Sequence, residues 1–145
     1  MKTKFSLILL LILSLMLFNC KDDKNTSESQ SVIILDDLVL NDGGKWIVNK
    51  ETHEGVKQMD AIISAFSSDS NTDYKKLGED LSKQTSSIIK NCNMKGEPHD
   101  QLHVVLVPML DEISILKEQS NPTKSKIALD RLEHLITAYF QHFQL

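Results

Sequence analysis

A thiol, a thioether and two imidazoles fall within twelve residues, at Cys92, Met94, His99 and His103. Thiolate and thioether sulfur suit soft ions such as Cu(I), and imidazole suits copper and zinc. No other window of the chain concentrates metal-capable side chains in this way. A Cys with two His and a weaker Met is a ligand set used by copper redox sites. Copper is therefore the expected ion and zinc the next. Asp100 beside His99 is placed either to orient an imidazole or to complement the positive start of a helix. Each donor also has a plainer role. Cys92 fits a small buried apolar residue, Met94 fits loop packing, and His99 fits the end of a helix packed in a core.

Four helical patterns must position these groups. The first runs from about Asn49, the candidate N-cap, to Phe66, with Val56, Met59, Ile62, Ile63 and Phe66 at a 3.6-residue period. Ser67 to Thr72 reads as a polar turn. The second helix carries Tyr74, Leu77, Leu81, Ile88 and Ile89, and Gly96 is its expected stop. The third starts at Pro98, taken as its first residue, and its stripe is Leu102, Leu106, Met109, Ile113 and Leu116. Pro108 lies inside it and predicts a kink near Val104. Asn121-Pro122 opens the fourth, which presents Leu129, Leu132, Leu135, Ile136, Tyr139 and Phe143.

Four amphipathic helices with short connections predict an all-α fold, an up-down-up-down four-helix bundle. Strand signals are absent beyond Val32–Leu40, a short extended or helical flap that leads to the turn Asn41-Asp42-Gly43-Gly44. In such a bundle one pole collects Asn49, Thr52 and His53, then Cys92 and Met94, then His99 and His103, then Tyr139 and His142. Cys92 continues the stripe Leu81, Thr85, Ile88, and His99 continues its own stripe backward. The expectation is that thiol and imidazoles turn inward at that mouth.

The N-terminal region carries a different signal. Lys2 and Lys4 precede an apolar run from Phe5 to Phe18, too short to span a bilayer comfortably, and Asn19-Cys20 follows. Leu17-Phe18-Asn19-Cys20 resembles a bacterial lipoprotein cleavage site, whose Cys receives acyl chains such as palmitate. Phe18 and Asn19 depart from the small residues usual there. Residues 1–19 are thus expected to be a lipoprotein signal peptide and Cys20 the lipidation site. Residues 20–31, polar and free of aromatics, should be a flexible tether, and 32–145 the bundle. The expected location is the outer membrane, on its periplasmic or cell-surface face. Lys21-Asp22-Asp23-Lys24 resembles the charged export tag of Bacteroidetes surface lipoproteins.

Losing residues 1–19 leaves 14 basic and 20 acidic residues, a formal charge of −6. Nucleic-acid binding needs clustered Lys and Arg, so that class is excluded. With Cys20 acylated, Cys92 is the only thiol, and no intrachain disulfide can form. No Gly-rich phosphate loop, nucleophile elbow or paired-carboxylate motif is present, and an enzyme is not expected. There is no Cys-x-x-Cys-His haem attachment, so no haem is expected.

Leu40 to Phe143 resembles small uncharacterised Bacteroidetes lipoproteins. The likeness is carried by Gly44-Lys45-Trp46, Asn49-x-x-Thr52 and Cys92-x-Met94-x-Gly96-x-x-His99-Asp100-x-Leu102-His103. It implies a four-helix bundle and brings no activity with it. Two functional expectations follow: a transition-metal protein of the envelope, or an interaction protein that binds another envelope component. The first needs convergent donor atoms, the second an exposed apolar patch.

Overall fold

The computed structural model describes residues 33–69 and 72–145. The expected signal peptide, Cys20 and the tether lie outside them. The described chain contains four helices: α1 (Lys50–Ser68), α2 (Tyr74–Asn91), α3 (Glu97–Glu118) and α4 (Pro122–His142). Each packs on the next, and α1 also packs on α4, so the fold is an all-α four-helix bundle in up-down-up-down order.

Each helix owes its existence to an apolar stripe and a local start signal. α1 buries Thr52, Val56, Met59, Ile63 and Phe66. α2 begins at Asp73, whose carboxylate accepts from the Lys76 amide at 3.0 Å, and it buries Leu77, Leu81, Thr85 and Ile88. Ile89, expected on that face, is exposed, because it falls a further 100° round the helix from Ile88. α3 buries all five residues of its predicted stripe, and Val105 and Glu112 with them. α4 opens on Asn121, whose Oδ1 accepts from the Thr123 and Lys124 amides, with Pro122 in the first turn where its missing amide costs nothing.

Several helix boundaries differ from the sequence expectation, and α1 runs on through Ser67 and Ser68, which were expected in the turn. α2 ends at Asn91, and Gly96 acts at the other side of the loop, as the residue before α3 with φ +67°. That backbone region is open to glycine and strained for other residues. α3 begins at Glu97, so Pro98 is its second residue. The chain continues helically through Pro108.

Ahead of the bundle, residues 33–40 form an extended segment with one tight turn, where the Leu38 amide donates to the Leu35 carbonyl at 3.0 Å. Asn41 and Gly44 pair across Asp42 and Gly43, both at positive φ, the twist a two-residue hairpin requires. A strand pair that was not expected from sequence then closes the pole. β1 (Trp46–Ile47) pairs in parallel with β2 (Phe143–Gln144), Trp46 opposite Phe143. Phe143 therefore belongs to β2 rather than to the last helical turn. Lys45 Nζ donates to the Phe140 carbonyl at 2.7 Å, placing a cation at the negative end of α4.

Helix spacing is set by two glycines. A Cβ at Gly78 of α2 would lie 2.8 Å from the Lys117 backbone nitrogen and 3.0 Å from Leu116 Cβ on α3. A Cβ at Gly55 of α1 would overlap the buried Ile88 side chain of α2. α2 is thus held close to both neighbours by residues without side chains.

Candidate functional site

The predicted pole forms, and its residues sort into three groups. In the first, Asn49 sits at the N-cap position of α1 but does not cap it with its side chain. Its Oδ1 accepts from the buried Thr52 hydroxyl, and its Nδ2 donates to the Asn91 carbonyl at 3.1 Å and to Glu51 Oε2 at 2.9 Å. Asn49 thereby satisfies an open carbonyl at the end of α2 and ties that end to α1.

The second group joins α1 to α4. Tyr139 is fully buried, stacks on Phe143 at 5.0 Å, and places its hydroxyl 3.3 Å from His53 Nδ1. Burial first, then the Lys57 charge, holds the His53 imidazole below its usual range. A neutral His53 accepts the Tyr139 hydroxyl hydrogen at Nδ1, which puts its own proton on Nε2. Burial also raises the Tyr139 phenol, so it stays a donor. His142 is helical, with Nδ1 at 2.8 Å from the Ala138 carbonyl.

The third group holds the expected metal donors. Cys92 follows the last residue of α2, is half-buried, and packs with Met94 against the hydrophobic core. His99 and His103 are neighbours on α3, their ring centroids 4.3 Å apart and tilted by 53°. His99 is half-buried, whereas His103 is exposed rather than turned inward as expected. The reason is helical phase. Four residues advance the direction by about 40°, and this carries His103 further than His99 from the core direction of Leu102, Leu106 and Met109. Among the described residues, no group of three or more His, Cys, Asp and Glu side chains is arranged to hold a metal ion.

His103 lines a groove instead. One wall is the 33–40 segment, with Ile34, Leu35, Asp36 and Asp37; the other is α3, with His103, Val104, Val107 and Pro108. Ile34 is 74% exposed and Val107 49%, values large for side chains of this size. The wall is fixed by Gln101. Its Oε1 accepts from the Val39 amide at 2.8 Å, and its Nε2 donates to the Asp37 carbonyl at 3.1 Å. From below, Trp46 Nε1 donates to the Val39 carbonyl at 2.7 Å, and Leu38 is buried. Both halves of one amide side chain are used, which ties the 33–40 segment to α3.

Gln101, Ile34 and the Asp36-Asp37 turn were not singled out from sequence. A signal for the α3 wall did exist: Val104 and Val107 are apolar outside the predicted stripe, so the helix is apolar on more than one side. No protein-family model, no curated protein and no solved structure matches the chain.

Proposed function

We propose that the chain is a lipid-anchored envelope protein, held at the outer membrane through Cys20, whose bundle presents a binding face to another envelope component. The observation that carries the binding face is the groove between residues 33–40 and α3, lined by the exposed side chains of Ile34 and Val107. Exposed apolar side chains that share one groove with polar neighbours are what support an interaction surface here. What supports the anchor is the basic start, the Phe5–Phe18 run and the Cys after it. A photo-crosslinking residue at position 107, in cells, should give a discrete adduct in the membrane fraction. The same residue at exposed position 83 on α2 should give none. Equal adducts at both positions, or none at 107, would defeat the reading.

A second reading is favoured by one observation, the 4.3 Å approach of the His99 and His103 rings on one turn of helix. Two imidazoles one turn apart offer a two-nitrogen site for zinc or copper, with positions left for outside ligands. On this reading, added Zn(II) or Cu(I) raises the thermal midpoint, because a ligand selective for the folded state stabilises it. The double change His99→Ala, His103→Ala removes that rise. Cys92→Ser leaves it intact if two nitrogens suffice, and abolishes it if the thiolate of the original four-donor expectation joins them. A midpoint indifferent to both metals in the wild type would exclude metal binding here.

A further inference from the structure

The groove carries a pattern of charge that selects its occupant. Around the apolar floor stand Asp36 and Asp37 on the 33–40 wall. On α3, residues 100, 104, 107 and 111 repeat at intervals of four, three and four, so Asp100 and Asp111 lie in line with Val104 and Val107 on one face. Asp100 and Asp111 are both exposed. Four carboxylates thus border one apolar strip, and neither lysine nor arginine is among the described lining residues.

Such a border argues against two occupants. A second copy of this chain, laid groove to groove, would bring two acidic rims together, and like charges placed across an interface oppose association. An anionic bilayer surface meets the same repulsion. A polypeptide segment with apolar anchors and flanking Lys or Arg meets none of it: its apolar side chains cover Ile34, Val104 and Val107 while its cations face the four aspartates.

We infer that the groove between residues 33–40 and α3 docks a basic amphipathic segment of a partner protein. This rests on the reading of the groove as an interaction face and adds the chemistry of what fills it. The carboxylates steer the encounter and fix register, and the apolar strip holds the bound segment. Gln101 contributes by keeping the 33–40 wall in place.

Two synthetic amphipathic helical peptides of equal length and apolar pattern test this, one with lysine and one with glutamate on its polar face. The full chain is held in phosphatidylcholine nanodiscs, with empty discs as background, and peptide fluorescence anisotropy is read. The lysine peptide should bind saturably and the glutamate peptide should not. The double change Asp36→Lys, Asp37→Lys should weaken the lysine peptide by roughly tenfold and bring the glutamate peptide up, since reversing rim charge reverses electrostatic preference. Val107→Ser, at an exposed position, should weaken the lysine peptide without altering the helical circular dichroism.

Equal binding of both peptides, or binding indifferent to Asp36, Asp37 and Val107, would overturn the inference. So would concentration-dependent dimerisation lost in Val107→Ser, which would make a second copy the occupant. Val107-dependent binding to phosphatidylglycerol vesicles would give the face to a membrane and overturn it equally. If the adduct at position 107 forms in cells while the lysine peptide shows no preference, the basic-segment inference falls and the interaction reading stands. If neither occurs, both fall.

Discussion

Replacing Gly78 by alanine should destabilise the bundle by about 2 kcal/mol, although alanine is the better helix former. In an exposed helix interior the exchange would gain up to about 1 kcal/mol. Here the new methyl would stand 2.8 Å from the Lys117 backbone nitrogen and 3.0 Å from Leu116 Cβ. The flexible Lys117 stem can move aside, but the α3 backbone can move only with the helix. Overpacking of this kind costs roughly 1–3 kcal/mol, and it must first cancel the propensity gain. Gly55→Ala provides the control, because its obstacle is the Ile88 side chain alone. Shortening Ile88 to alanine, which removes both the Cγ1 and the Cδ1 that stand in the way, should couple favourably with Gly55→Ala and not with Gly78→Ala. Urea unfolding of the single and double variants measures both, and a neutral or stabilised Gly78→Ala would mean that α2 and α3 are not this close.

The second large effect has the opposite sign. Glu112 is 6% exposed on the α3 face that meets α4, and its Oε2 has no hydrogen-bond partner among the described residues. Its Oε1 pairs with Arg131 Nη1 at 3.6 Å, longer than a good hydrogen bond. Burial pushes the Glu112 carboxyl above the usual carboxylate range, and the opposing pull of Arg131 is smaller. Glu112→Met keeps the length, removes the charge, and leaves Arg131 on a side chain still 28% exposed and able to reach water. Removing one partner of a buried ion pair is costly where the other stays buried, whereas replacing the whole pair by apolar groups is often neutral or stabilising by about 1–4 kcal/mol; because the Arg131 side chain can reach water, we expect a gain at the low end, about 1 kcal/mol at pH 7. That is a rise of roughly 4 °C in thermal midpoint for a domain of this size. The pH dependence follows from linkage. A carboxyl raised in the folded state binds its proton more readily there, so wild type gains stability as pH falls through the raised value. Below the unfolded value, near about pH 4, that gain is complete and the advantage of methionine should have vanished. A methionine variant less stable than wild type, or a difference that does not change with pH, would show that Oε2 is well satisfied.

Much of the bundle is legible because helix burial is periodic. The stripes from Val56 to Phe66 and from Leu102 to Leu116 need only a count of three and four, and Asn121 and Pro122 announce the start of α4 by known local chemistry. What could not be read depends on partners distant in the chain. Asn49 looks like an N-cap until Asn91 is seen across from it. Trp46 and Phe143 form a parallel pair from segments two residues long, too short for any alternation to register. The candidate site divides in the same way. That His99 and His103 would be neighbours follows from their spacing, and the rings do meet. That His103 turns outward follows from the same count, since it lies about 100° round the helix from the centre of the Leu102–Leu116 stripe; the inward expectation misjudged that phase. The groove was least visible, because its other wall comes from a segment with no periodicity, fixed to α3 by a single glutamine.

The parallel pairing of β1 with β2 has a mechanical consequence. Because the strands run the same way, the chain reaching β1 from Ile33 and the chain leaving β2 toward Leu145 depart from opposite ends of the pair. Tension between those points therefore loads the pair in shear. Its bonds, with the Val48 amide on the Gln144 carbonyl at 2.9 Å beside them, bear the load together instead of unzipping one at a time. A pull arriving from Ile33 meets the 33–40 wall first, held by the Gln101 amide bonds, the Trp46–Val39 bond and the packing of Leu38. The weaker fastening is upstream of the stronger one. Under load the 33–40 segment should therefore part from α3 before the strand pair shears.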